Sequence, residues 1–284
     1  MGKFARSWEL VKESFAILRS DKQLMLFPIL SAVACVITTA MIVAGGTLAI
    51  LPSIRAAAAV GERWQPNHSP AFTLGVFAVY VANYFIMVFF NVALVGVANS
   101  RLMGGSWTFR DGLELAWARK GTIFLWALVA ATVGMILRTI EERMGLIGRI
   151  IMKLLGVAWA LACYFVVPVL AFEDLTPFAA VKRSARLFKE TWGERVAGGF
   201  SIGAVFLVLM LPGIGLWIAA TAAFGAKGTL IGLGFLFLYL IALAVVSSAV
   251  QGIFNAALYR YACFKQVPPA FTPQLITGAW TPKA

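Results

Sequence analysis

Hydrophobic positions along this chain do not alternate; they run. Six almost uninterrupted apolar stretches stand out: Leu24 to Leu51, Ala71 to Ala98, Gly121 to Leu137, Leu154 to Phe172, Val196 to Phe224 and Thr229 to Tyr259. Crossing a hydrocarbon core about 30 Å thick takes about 20 apolar residues in a helix, the form that bonds every backbone amide internally where no water is present. Each stretch therefore predicts a membrane-spanning helix. The sixth is longer than a perpendicular crossing needs, which predicts tilt or projection beyond the bilayer. The first run is too long for a cleaved signal and is read as a retained anchor, although Ala56 to Ala59 mimic a cleavage site.

Between the runs the pattern changes to a helical period. Phe4, Trp8, Val11, Phe15 and Leu18 share one face, and so do Phe178, Val181, Ala185, Phe188 and Trp192. Lys182, Arg183, Arg186 and Lys189 fall beside or opposite the second stripe. Such a helix lies in the membrane interface, its aromatics turned inward to lipid or bundle and its cations near headgroups. Leu10, Ile17 and Leu187 fall off the stripes and offer a second contact with the bundle. These four cations are the candidate anionic-lipid contacts.

Composition strengthens the membrane assignment. Of 284 residues, 61% are hydrophobic and only 13% charged, with a mean hydropathy of +0.87; a soluble domain carries about 25% charged residues. The net charge of +12 suits loop orientation and anionic phospholipid, and no nucleic-acid motif accompanies it. Basic residues gather in the N-terminal segment, around Arg101 to Lys120, around Lys182 to Arg195 and at the C-terminus. The positive-inside rule thus puts both termini in the cytoplasm of a cell with this chain in its plasma or inner membrane. The segment Arg138 to Lys153 runs against that bias, with four cations on the outer side partly offset by Glu141 and Glu142; it is read as a short interfacial helix.

A shift of 170 positions brings Lys12 onto Lys182, Ser14 onto Ser184, Leu18 onto Phe188 and Arg19 onto Lys189. The segment "TFRDGLELAWARKG" has the same character but aligns poorly. The chain therefore reads as one membrane domain, 1–264, in three parallel units of a surface helix followed by two spans: 1–98, 99–175 and 176–264. Residues 265–284 hold Pro268, Pro269, Pro273 and Pro282 and read as a loop-like tail.

"FVVPVLAFEDLTPFAAVKRSARLFKETWGE", followed by a span, resembles the signature of a family of uncharacterised bacterial integral membrane proteins, and "SWELVKESFAILRSDKQLMLFPILS" resembles that family's N-terminus. More distantly, the alternation of surface helix and spans is similar to the non-catalytic membrane domain fused to some glycerophosphodiester phosphodiesterases. The resemblance implies fold and location, and carries no activity or functional residue with it.

Chemistry is sparse. Glu173 and Asp174 are adjacent, so on a helix their side chains diverge by about 100° and do not converge as an acid–base pair. Thr176 suits a helix N-cap, Pro177 suits the first helical position, and carboxylates ahead of that start complement its dipole. His68 is the one histidine, and Cys35, Cys163 and Cys263 lie far apart, so neither metal-ligand spacing nor a cofactor motif appears. The polar residues inside the spans are Asn83 and Asn91, then Ser247, Gln251 and Asn255 at successive i+4 positions. They read as interhelical hydrogen bonds, worth about 0.6 kcal/mol each, or as the lining of a polar pathway. Gly199 with Gly203 and Gly228 with Gly232 carry a spacing that lets spans pack closely.

The expectation is an all-α bundle of six transmembrane helices and no enzyme. It carries no cofactor or metal and organises membrane lipid or protein partners through its surface helices. Transport of a small solute or lipid is the alternative. The absence of charge in the apolar centres argues against carboxylate-based ion coupling. Whether the chain binds a protein partner or forms a homo-oligomer stays open.

Overall fold

The computed structural model describes residues 3–61, 70–192 and 201–265. Helix is the one regular secondary structure among them, with no strand. In chain order they form α1 (Lys3–Ser20), a 3-10 turn (Lys22–Met25), α2 (Leu26–Ala59), α3 (Pro70–Leu102), α4 (Phe109–Ala118), α5 (Lys120–Arg143), α6 (Leu146–Ala162), α7 (Val166–Phe172), α8 (Pro177–Trp192) and α9 (Ser201–Phe264).

Among the described residues, five helical stretches are long and apolar enough to cross a membrane: Lys22–Ala59, Pro70–Leu102, Lys120–Arg143, Leu146–Phe172 and Val205–Phe264. Five stand where six runs are expected because the last two runs are continuous in α9. That stretch reverses at Gly225, whose φ of +56° and ψ of −136° are open to glycine and strained for any residue with a Cβ. The two arms then run back along each other. The Tyr239 hydroxyl donates to the Leu209 carbonyl, Gly213 lies against the Tyr239 ring, Gly232 against Trp217 and Gly228 against the Ala220 carbonyl.

The segment 138–153 is not a separate interfacial helix. Arg138 to Arg143 complete α5, the chain turns at Met144 and Gly145, and α6 begins at Leu146. Extended backbone at both turn residues (ψ 147° and −179°) interrupts the helix there. Arg138 pairs with Glu142 at 3.0 Å and donates to the Tyr80 hydroxyl at 2.8 Å, so one cation of this segment is paired on α5 itself. Farther on, Pro168 has no N–H for the carbonyl four residues back and its ring crowds it. The helix accordingly breaks over Cys163 to Phe165 and resumes as α7.

The chain forms two compact units, one of residues 1–28, 93–112 and 186–284, the other of residues 29–92 and 113–185. In the first, α1 packs along α9. Leu24, Phe27, Leu94, Leu102, Ile253 and Leu258 are buried, and Phe27 stacks on Phe109 with centroids 4.7 Å apart. Gly112 in α4 meets the Ala93 carbonyl and Val97 directly. In the second, α5 packs on α6, Trp126 stacks on Trp159 at 6.1 Å, and Ile123, Ala127, Phe165 and Leu170 are buried.

Candidate functional site

Helix α8 starts where the sequence places it. Pro177 is its first residue, and the Thr176 carbonyl accepts the Ala180 N–H at 2.8 Å. The face it buries is a different one from the aromatic stripe. Pro177, Ala180, Ser184 and Leu187 are buried, at i, i+3, i+7 and i+10, whereas Phe178 is 72% exposed. Val181, Ala185 and Phe188 are half-buried, and the side chain of Trp192 lies outside the described residues. The reason is the break beneath the helix: the Ser184 hydroxyl accepts the Phe165 N–H at 2.9 Å, supplying an acceptor to an amide that the interrupted α6–α7 backbone leaves free. A small side chain is needed for that approach, and Phe178, on another face of the helix, stays exposed.

Glu173 and Asp174 diverge, each to its own arginine. Both Glu173 oxygens accept from Arg183 Nε at 3.1 Å. Asp174 accepts from Arg119 Nη1 at 2.8 Å, although its side chain is 90% exposed. Arg183 is thus tied to the protein, and Lys182, Arg186 and Lys189 remain as the exposed cations of α8. The other surface helices follow the same habit. In α1, Ser14 and Leu18 are buried while Phe15 is 46% exposed; Phe4, Trp8 and Val11 have side chains outside the described residues. In α4, Gly112 and Ala116 are buried while Trp117 faces out under Lys120, whose Nζ sits 4.2 Å from the ring centroid. A capping box opens α4: Asp111 accepts from the Thr108 N–H at 2.6 Å and the Thr108 hydroxyl at 2.8 Å. The Thr108 N–H, then the Thr108 hydroxyl, and then the nearby Arg110 charge hold the Asp111 carboxyl below its ordinary range.

The polar residues of the spans differ in their surroundings. Asn83 donates from Nδ2 to Thr39 Oγ1 at 2.8 Å, bonding α3 to α2, and to the Val79 carbonyl at 2.8 Å. Asn91 is half-buried on the same helix. Gln251 is exposed and donates to Ser247 one turn back at 2.8 Å; Asn255 is half-buried. Among the described residues no three His, Cys, Asp or Glu side chains come together. The arms of α9 enclose an apolar cleft of about 580 Å³ lined by Pro212, Trp217, Phe224, Ile231, Phe235 and Tyr239. Sequence reasoning missed this cleft and the Gly112 contact, since both depend on which helices meet. The Gly228–Gly232 spacing was visible and does mark a contact; Gly199 and Gly203 lie where no side-chain environment is described.

A helical protein with several spans and no strand is a polytopic membrane protein in class. The match to a protein-family model extends over residues 71–267, and the chain belongs to that family, described as a family of unknown function (DUF6159). No curated protein and no solved structure matches the chain.

Proposed function

We propose that this chain is a non-enzymatic integral membrane protein that gathers anionic phospholipid at one face of the bilayer through its surface helices. In this reading it crosses the plasma or inner membrane six times, the two arms of α9 being separate crossings. The units 1–98, 99–175 and 176–264 are parallel repeats, and both termini are cytoplasmic. The observation that carries it is α8, which buries Pro177, Ala180, Ser184 and Leu187 and leaves Phe178 and the cations Lys182, Arg186 and Lys189 outward. An exposed aromatic beside exposed cations suits the level where acyl chains meet headgroups.

The test is reconstitution of the full chain with spin-labelled phosphatidylglycerol or phosphatidylcholine, reading the motionally restricted lipid fraction. Each basic residue near an anionic surface contributes about 1 kcal/mol. The variant K182Q/R186Q/K189Q should lose most of the preference for the anionic lipid, and high salt should erase the wild-type preference. Equal preference in variant and wild type would refute the reading.

Passage of a lipid or small solute is a second reading, favoured by the exposed Gln251 on an apolar helix. A transfer or uptake defect in Gln251→Leu and Asn255→Leu, absent at lipid-facing control positions, would support it over the first.

A further inference from the structure

Arg260, near the end of α9, is a cation without a counter-charge. No carboxylate lies within ion-pair distance among the described residues. Its hydrogen bond is from Nη1 to the Asn99 carboxamide oxygen, at 3.3 Å. Its Nε is buried and has no acceptor among the described residues. Beneath the guanidinium, 5.3 Å from its carbon, lies the Phe264 ring, itself 58% exposed. The next basic residue, Lys265, is exposed, with Nζ 5.8 Å from the Tyr261 ring.

A guanidinium presents five N–H donors in a planar fork. A buried donor left without an acceptor costs about 1–3 kcal/mol, and neither an amide oxygen at 3.3 Å nor an aromatic face supplies the missing negative charge. The fork matches phosphate oxygens bidentately. Arg260 stands where the apolar run of α9 ends, at Phe264, which is the level of lipid phosphates for a helix that crosses the hydrocarbon core.

We propose that Arg260, steadied by Asn99, seats the phosphate group of an anionic phospholipid at the end of α9. This deepens the lipid-binding function proposed above and rests on it for location, but it uses residues distinct from the α8 cations. The Asn99 oxygen orients the guanidinium, the Asn99 amide nitrogen is a second donor on the same carboxamide, and the exposed Phe264 ring borders the acyl chain.

Native mass spectrometry of the full chain in mild detergent tests this, with phosphatidylglycerol, phosphatidylcholine and inorganic phosphate titrated separately. The expectation is one phosphatidylglycerol retained by wild type, about five-fold or more weaker retention in Arg260→Gln, and an intermediate result in Arg260→Lys. Arg260→Lys keeps the charge and loses the fork, so it reports on the seat even if Arg260→Gln folds poorly. K182Q/R186Q/K189Q should retain the bound lipid; loss there with retention in Arg260→Gln overturns the seat and leaves the α8 reading standing. Wild-type retention in both Arg260 variants overturns it as well. Binding of inorganic phosphate with the same Arg260 dependence, without retention of phosphatidylglycerol, overturns the lipid assignment in favour of a soluble phosphate.

Discussion

Gly228→Ala and Gly234→Ala make the same chemical change six residues apart on one arm of α9, and the hairpin geometry gives them opposite signs. A Cβ at Gly234 meets nothing within 4 Å. That substitution keeps only the gain in helix propensity, about 1 kcal/mol. A Cβ at Gly228 would overlap the Ala220 carbonyl oxygen and lie 2.8 Å from its carbon and 2.9 Å from Phe224 Cβ. Backbone on the facing arm cannot rotate away as a side chain can, so the arms must separate. Overpacking of this kind costs about 1–3 kcal/mol. Because the propensity gain is common to both variants, the difference between them isolates that cost. Gly232→Ala should fall between, since its nearest obstacle is the Trp217 ring edge at 2.9 Å. The assay is unfolding by sodium dodecyl sulfate titrated into mixed micelles, followed by circular dichroism. Stability in the order Gly234→Ala, Gly232→Ala, Gly228→Ala is expected. Equal midpoints for Gly228→Ala and Gly234→Ala would mean that the arms do not approach at Ala220, and the folded-back α9 would be wrong.

Asn83→Leu should lower stability in the same assay by about 0.6 kcal/mol, the average interhelical bond, because only the bond to Thr39 crosses between helices. A loss several times larger would give Asn83 a role beyond that bond. Glu173→Gln with Asp174→Asn should cost about 1 kcal/mol or less per ion pair, and a double-mutant cycle with Arg119→Gln should show coupling to Asp174 and none to Glu173. The Asp111 carboxyl is held below its ordinary range by Thr108, so its cap contributes fully above the unfolded pKa and is lost as pH falls through the lower folded value. Amide exchange over α4 should therefore rise at acid pH in wild type, with much less pH dependence in Asp111→Asn; identical profiles would remove the carboxylate from the cap. Single-tryptophan variants in vesicles of brominated lipid should show quenching at Trp117, which is 62% exposed, and little at Trp126, which is 5% exposed; equal quenching would contradict the burial of α5.

The apolar runs were legible because lipid imposes a length and a composition that few other environments share. The link between the last two runs was harder to read. "AAFGAKGT" holds a glycine turn and a lysine, yet nothing local says that the helices on either side lie along each other. That relation appears only in space, in pairs such as Gly213 with Tyr239 and Gly232 with Trp217. The break at Cys163 to Phe165 was half legible. Pro168 announces an interruption, but the acceptor for the Phe165 amide comes from Ser184, nineteen residues on. Arg260 could have been noticed as a cation closing an apolar run, but its want of a carboxylate is a spatial fact.

The buried face of α8 has a general cause. In water, the large apolar stripe of a helix seeks the core, which is one of the two places, lipid or bundle, that the sequence leaves open to Phe178, Val181, Ala185, Phe188 and Trp192. Beside lipid the rule loses its force, since acyl chains accept a phenylalanine as readily as a core does and association depends on close approach and hydrogen bonds. Small residues then mark the contact. Ser14 in α1, Gly112 and Ala116 in α4, and Ala180 and Ser184 in α8 are all buried, while Phe15, Trp117 and Phe178 face out. The alignment of Ser14 with Ser184 at a shift of 170 positions thus held more of the packing than the aromatic spacing did. Both hydroxyls are buried; that of Ser184 accepts the Phe165 N–H, and that of Ser14 has no hydrogen-bond partner among the described residues. The same inversion favours lipid as the neighbour of α8: a face that carries Phe178 with Lys182, Arg186 and Lys189 satisfies both its ring and its charges where acyl chains meet phosphate, and satisfies only one of them in a dry core or in water.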